Sequence, residues 1–157
     1  MMVFRWAVLA MFLLAGQPAG AEQPTGSSGS LAKAYFAGGC FWCMEEAFEK
    51  VNGVLEAVSG YMGGAVKNPS YEEVSAGKTG HAESVEVRYD PAKVTYAQLL
   101  EAFWRNIDPI TPDAQFCDHG NQYRSAIFFG TDEEKQLSEE SKSAIERSKR
   151  FSNPIVT

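Results

Sequence analysis

Two kinds of hydrophobic spacing alternate along most of the chain. Residues 82–89 alternate apolar and polar side chains, which is typical of a strand with one buried face. Residues 40–51 instead place apolar side chains three or four positions apart, which predicts an amphipathic helix. Apolar runs predict further strands at residues 33–38, 54–61 and 123–129.

Two more helices are predicted from the signatures at their starts. Thr95-x-x-Gln98 and Thr131-x-x-Glu134 have the spacing of a capping box, in which two side chains satisfy free backbone amides. The predicted order is then β-α-β-β-α-β-α. This order predicts an α+β fold, a two-layer sandwich with a ferredoxin-like split βαβ core. Helices would pack on one face of a mixed or antiparallel sheet.

The first residues have the features of an export signal. Residues 1–21 combine one basic residue, Arg5, with an apolar run and a small-x-small sequence ending at Ala21. We expect a cleaved signal peptide, a periplasmic or secreted protein and no stable membrane insertion; a retained anchor is the alternative. Residues 22–32 are predicted to be a flexible linker, and residues 33–157 one folded domain.

The composition is that of an ordinary globular protein, with 45% hydrophobic and 22% charged residues. A formal net charge of −6 disfavours contact with phosphates, so we expect no nucleic-acid partner. We expect a monomer. Residues 153–157 combine a proline with β-branched side chains, like the opening of a strand, and this leaves open a continuation of the natural chain beyond Thr157.

Cys40 follows two glycines at the predicted junction of a strand and a helix. In the first turn of a helix, unpaired amides and the positive end of the dipole favour the thiolate, the nucleophilic form of cysteine. Cys43 is near enough across one helical turn to form a disulfide with Cys40. We therefore predict a reactive cysteine here; a buried cysteine that only fills space is the alternative.

Two further side chains lie on unexpected faces of their elements. Trp42 falls on the polar side of its helix, where it can form the wall of an apolar pocket or a packing interface. The alternation in residues 82–89 places Glu83 on the apolar side with Val85. Loss of hydration raises the pKa of a carboxyl, so Glu83 is a candidate general acid unless it reaches water at the strand end. His81 is more simply explained by hydrogen bonding.

The cysteines also allow other classes of protein. Cys40, Cys43, Cys117 and His119 are the possible ligands of a zinc module, although their spacing is unusual for one. The Cys-x-x-Cys spacing is compatible with a thioredoxin-like dithiol oxidoreductase. An exposed Trp42 is compatible with a non-catalytic interaction domain.

Several short motifs are spread over the predicted domain. They are Gly-Cys-Phe-Trp at 39–42, Gly-Tyr-Met-Gly-Gly at 60–64, Asn-Pro-Ser-Tyr at 68–71, Gly-His-Ala-Glu at 80–83, Asp-Pro at 108–109 and Gln-Tyr-Arg-Ser at 122–125. Together they resemble the A-type peptide methionine sulfoxide reductases, and the resemblance covers residues 33–157. It implies reduction of methionine S-sulfoxide, free or in oxidised proteins and peptides, without a metal or other cofactor.

The resemblance also implies a role for each matching side chain. Cys40 would attack the sulfoxide sulfur and Glu83 would protonate the sulfoxide oxygen. The other implied residues bind substrate: Tyr71 and Tyr123 the oxygen, Phe41 and Trp42 the methyl group, and Asp118 the polar side of the pocket. A sulfoxide sulfur is a poor electrophile until its oxygen is protonated, so the chemistry requires a thiolate beside a neutral acid.

The sequence departs from the family pattern in two places. Cys43 stands where the motif usually has glycine, and the C-terminal tail that commonly carries the recycling cysteines is not in this sequence. We expect the sulfenic acid on Cys40 to be resolved to a disulfide by Cys43 or Cys117. The expected reductant is thioredoxin or a thioredoxin-like domain.

Overall fold

The structure is a computed structural model that describes residues 30–157. The predicted signal peptide, residues 1–21, and the linker up to residue 29 lie outside the described residues. The strands are β1 (Ala32–Gly38), β2 (Val54–Met62), β3 (Ala82–Tyr89), β4 (Ala114–Gln115), β5 (Asp118–His119) and β6 (Ser125–Phe128). The helices are α1 (Phe41–Glu49), α2 (Tyr71–Ser75), α3 (Tyr96–Arg105) and α4 (Asp132–Arg147), with a 3₁₀ helix at Asn121–Tyr123.

Four of the strands form one antiparallel sheet in the order β2-β3-β1-β6. Strand β3 lies between β1 and β2, which α1 connects, and this is the split βαβ arrangement. Helices α1 and α3 share one core with the sheet. The predicted α+β two-layer fold is therefore confirmed.

The core fixes α1 against β1, the two elements that meet at Cys40. Phe36 from β1, Phe48 from α1 and Phe103 from α3 are fully buried. The Phe36 ring stacks on the other two, with centroids 4.9 Å from Phe48 and 5.3 Å from Phe103. Burial of one such ring contributes about 1.5–3 kcal/mol, so the turn between β1 and α1 starts from a rigid base.

The two predicted capping boxes differ in outcome. At α3 the Gln98 N–H donates to Thr95 Oγ1 at 3.2 Å and the Thr95 N–H donates to Gln98 Oε1 at 2.9 Å, as predicted. At α4 the Glu134 N–H donates to Thr131 Oγ1 at 3.1 Å, but the Glu134 carboxylate accepts from the Gly130 N–H at 2.7 Å. The second box is therefore only half formed, because the carboxylate reaches one residue further back.

The remaining differences concern segments with little periodicity. Residues 153–157 form no strand in the described chain: Ile155 is buried, and the Val156 N–H donates to the carbonyl of Pro109, a loop residue. The predicted strand at residues 123–129 starts later, at Ser125, since the 3₁₀ helix occupies the preceding residues. Strand β1 begins one residue earlier than the predicted domain. Helix α2 was not predicted at all.

Candidate active site

Glu83 lies on the apolar face of β3, where the alternation placed it. The residue is only 2% exposed, and its Oε2 accepts a hydrogen bond of 3.1 Å from the Phe41 N–H. Burial raises the pKa of the Glu83 carboxyl, and the negative charge of Asp118 raises it further, while the Phe41 N–H opposes the shift. The site therefore contains a carboxyl that holds its proton more tightly than an exposed glutamate does, beside the first residue of α1.

Cys40 is the N-cap residue of α1. The sequence pattern placed it in the first helical turn, and this prediction is wrong by one position. Its carbonyl accepts from the Cys43 N–H at 3.1 Å and from the Met44 N–H at 3.2 Å, and the side chain caps no amide. The thiol is half-buried. Gly39 makes the turn possible: its φ is +89°, and a Cβ there would lie 2.5 Å from Cβ of Gln115.

Aromatic rings cover the other side of Phe41. Trp42 is 63% exposed and Tyr71 is 46% exposed, and their ring planes are nearly parallel, at 19°, with centroids 6.3 Å apart. The Phe41 ring is buried and lies 5.2 Å from the Trp42 ring. The two exposed rings, with Phe41 behind them, form an apolar surface next to Cys40.

Tyr123 and Asp118, from the segment before β6, lie near Glu83 and Cys40. Burial raises the pKa of Tyr123, and the negative charges of Glu83 and Asp118 raise it further. Cys40 contributes to the same shift, which places the phenol among these groups. Tyr71 adds to the shift as well, so four predicted site residues that are distant in sequence all act on this one phenol.

The three cysteines are all free thiols and line one cavity of about 420 Å³. The neighbouring Cys40 thiol raises the pKa of the Cys43 thiol, and burial and the negative charge of Asp118 add to this. Cys117 is an exposed residue, and it lines the same cavity as the buried Gln115. A larger cavity of about 790 Å³ between α3 and α4 contains none of the predicted site residues.

Two residues near the site were missed from the sequence. Tyr61 on β2 is paired with Glu83 in the strand register, and its ring lies 5.8 Å from the Phe41 ring. It belongs to a predicted strand, so the pairing register of two strands would have found it. Gln115 is 1% exposed and both donates to and accepts from the backbone of Asp108, at 2.7 Å each. No sequence signal marks it.

His81 has the structural role that the sequence favoured. Its Nδ1 accepts from the Gly64 N–H at 3.2 Å, and its Nε2 lies 2.7 Å from the Val66 carbonyl. The second contact requires a proton on Nε2. The imidazole thus holds the loop after β2.

The possible zinc ligands do not form a metal cluster. Across residues 30–157, His, Cys, Asp and Glu side chains make no group of three or more that could hold a metal ion. His119 instead bonds through Nδ1 to the carbonyl of Cys117, at 3.0 Å. In the same range, no helix combines the length and apolar character needed to cross a bilayer.

Comparisons with known proteins show the family to which the chain belongs. The family model for peptide methionine sulfoxide reductase matches residues 32–157. A peptide methionine sulfoxide reductase MsrA from Halalkalibacterium halodurans is 50% identical over 127 residues, which are 81% of this chain and 72% of the relative. The chain therefore belongs to the peptide methionine sulfoxide reductase family and is an oxidoreductase of this type.

Solved structures give the same fold. The structure of Mxr1 from Saccharomyces cerevisiae in reduced form is 30% identical, with a TM-score of 0.75, over 81% of this chain and 74% of that one. Mxr1 in complex with Trx2 matches with a TM-score of 0.52 at 22% identity, over 81% of this chain and 78% of that one. The second likeness concerns the fold alone.

Proposed function

We propose that this protein reduces methionine S-sulfoxide to methionine, with Cys40 as the nucleophile and Glu83 as the acid. The observation that carries the proposal is the 3.1 Å hydrogen bond from the Phe41 N–H to Glu83 Oε2. This bond holds a buried carboxyl beside the residue that directly follows Cys40. Membership of the family supports the reaction, and the motif resemblance supplies the choice of epimer.

The chemical step transfers one oxygen atom. The Cys40 thiolate attacks the sulfoxide sulfur while the proton of Glu83 passes to the sulfoxide oxygen. The attack forms a bond between the two sulfurs; this bond and the S–O bond of the substrate then break as the hydroxyl moves to Cys40, so that methionine leaves and Cys40 becomes a sulfenic acid. Burial of Glu83 supports this role, because its raised pKa keeps the proton available.

The surrounding side chains bind the sulfoxide. Trp42 and Phe41 hold the substrate methyl group against their rings, while the hydroxyls of Tyr71 and Tyr123 donate to the sulfoxide oxygen. Asp118 orients the polar side of the pocket. The exposed Trp42 and Tyr71 rings suit a methionine side chain on an oxidised protein or peptide as well as the free amino acid.

Cys43 resolves the sulfenic acid. Its thiol condenses with the oxidised Cys40, which releases water and forms the Cys40–Cys43 disulfide. The effect of Cys40 on the pKa of the Cys43 thiol and the cavity that both thiols line support this choice. Cys117 is the second candidate, since it lines the same cavity.

A thioredoxin or thioredoxin-like dithiol then reduces this disulfide by thiol–disulfide exchange. The resemblance to the family supports a partner of this kind; Mxr1, which shares the fold, has been solved in complex with Trx2. We also propose that the protein is exported after cleavage at Ala21 and acts as a monomer. Cell fractionation with N-terminal sequencing that starts at Glu22, and gel filtration, test these two points.

The experiment is a pair of kinetic assays on Cys43→Ser and Cys117→Ser. Both variants should form one methionine per protein from the S epimer. Only Cys43→Ser should fail to turn over with thioredoxin, and mass mapping of the wild type should find Cys40 linked to Cys43. Full cycling in Cys43→Ser would contradict the resolver assignment, and loss of cycling in Cys117→Ser alone would transfer it to Cys117.

A further inference from the structure

The two tyrosines proposed to bind the sulfoxide oxygen lie on separate short elements. Tyr71 is the first residue of α2, and Tyr123 is the last residue of the 3₁₀ helix. Both must point at one oxygen atom, so the distance between these elements determines whether they act together. The resemblance to the family assigns a role to the two tyrosines, but to no residue that sets the distance between their elements.

A buried amide joins the two elements. Gln122 precedes Tyr123, is 6% exposed, and donates from Nε2 to the carbonyl of Ser75 at 3.1 Å. Ser75 is the last residue of α2. Among the hydrogen bonds of residues 30–157, this is the one that links α2 to another element; the Ser70–Glu73 capping box is internal to it.

The 3₁₀ helix is the fixed end of this link. Arg124 donates from Nη1 to the carbonyl of Asn121 at 2.8 Å and from Nη2 to the carbonyl of Gly80 at 3.1 Å. Gly80 leads into β3, which carries Glu83. The Gln122 side chain therefore extends from a braced element to α2, a short helix of five residues.

Two glycines leave space for the amide oxygen of Gln122. A Cβ on Gly120 would lie 2.5 Å from Gln122 Oε1, and one on Gly77 would lie 3.3 Å from the same atom. Both glycines have positive φ, +134° and +70°. Two separate turns thus accommodate one side chain, which indicates a defined seat rather than incidental packing.

We propose that Gln122 is a positioning residue that sets the separation of Tyr71 and Tyr123 by tethering the end of α2. It touches no substrate. Without the tether, α2 keeps its buried Val74 but loses its hydrogen-bonded connection, and Tyr71 moves relative to Tyr123 and to the Trp42 ring. This inference rests on the proposed role of the tyrosines.

The test compares Gln122→Met, which keeps the length but not the amide, with Ser138→Ala. Ser138 is similarly buried at 7% and bonds to the Tyr96 hydroxyl at 3.1 Å, and it lines a cavity that contains none of the cysteines, so its loss controls for general destabilisation. We expect Gln122→Met to slow the single-turnover step by about tenfold, since small displacements of a binding group cost this much or more. Ser138→Ala should leave the rate unchanged.

A double-variant comparison separates positioning from general damage. Gln122→Met should have little further effect once Tyr71→Phe has removed the hydroxyl, because both changes act through the same group. An unreduced tenfold loss in the Tyr71→Phe background would overturn the proposal. Gln122→Glu provides a second variant: its rate relative to wild type should recover at low pH, where the carboxyl regains a proton to donate to Ser75.

A spectroscopic readout keeps this inference distinct from the proposed function. The near-ultraviolet circular dichroism that depends on Trp42, identified by its loss in Trp42→Phe, should change in Gln122→Met and not in Ser138→Ala. If Tyr71→Phe reacts at the wild-type rate, the tyrosine role is wrong, while this spectral change still supports the tether. An unchanged spectrum and rate in Gln122→Met overturn the tether alone.

Discussion

The backbone N–H of Phe41 donates to Glu83 Oε2 at 3.1 Å across 42 residues of sequence. This contact joins the start of α1 to the buried end of β3. It fixes where the acid lies relative to Cys40, and it stabilises the carboxylate only enough to offset part of the effect of burial.

Glu83→Gln should slow the single-turnover reduction by about 100-fold, within the range that general acid catalysis contributes. The amide still accepts from the Phe41 N–H, so the fold of the turn is kept. In the wild type, the rate should fall as pH rises through the raised pKa of Glu83, because the acid is lost. Rapid-quench kinetics across a pH series measure both effects; a variant that keeps the falling limb would show that another group is the acid.

The same substitution should change how stability depends on pH. The pKa of Glu83 is raised in the folded state above its ordinary value of 4.5, so the folded protein binds this proton more tightly than the unfolded chain. Its contribution to stability is fully present below that ordinary value and is lost as pH rises through the folded pKa. In urea denaturation, the free energy of unfolding of Glu83→Gln should therefore rise relative to that of the wild type as pH increases. A constant difference between the two proteins would be inconsistent with a raised pKa.

Gly39→Ala should destabilise the protein by about 1–3 kcal/mol, because it forces a side chain into a strained positive-φ conformation. The new Cβ would also lie 2.5 Å from Cβ of Gln115, so the turn that carries Cys40 must shift. Gly60→Ala is the matched control, since a Cβ at Gly60 has no neighbour within 4 Å. Chemical denaturation should show a lower stability, and single-turnover kinetics a lower rate, for Gly39→Ala than for Gly60→Ala. Equal stabilities and rates would mean that the turn accommodates a side chain.

Trp42→Ala should weaken substrate binding with little change in stability, because the side chain is 63% exposed. Leu55→Ala removes another exposed apolar side chain, 56% accessible, on β2 and serves as the control. Saturation of the single-turnover rate with a sulfoxide peptide should require more substrate only in Trp42→Ala. An unchanged substrate dependence would return Trp42 to the role of a packing or interface residue.

Hydrophobic periodicity correctly predicted which side chains of the regular elements face the core. The alternation in β3 placed Glu83 on the buried face correctly, and the spacing in α1 placed Phe41 and Met44 in the core. It could not show that Cys40 precedes the first helical residue, because one residue at a helix end depends on backbone angles that spacing does not encode.

The rest of the site depends on tertiary contacts. Gln115 and Gln122 are buried polar residues whose partners are backbone atoms, seven residues away at Asp108 and 47 residues away at Ser75. Such contacts have no local signature in sequence. Tyr71 was identified only by the family motif, since the helix that it begins has five residues and too short a pattern to recognise.

The most direct test of the account is to locate the oxygen atom after one turnover. Protein carrying both Cys43→Ser and Cys117→Ser should react with methionine S-sulfoxide, release one methionine, and retain one oxygen on Cys40, detected by mass spectrometry after trapping with a sulfenic-acid reagent. The R epimer should leave Cys40 unmodified. Methionine formed without oxidation of Cys40, or formed equally by Cys40→Ser, would contradict the central claim.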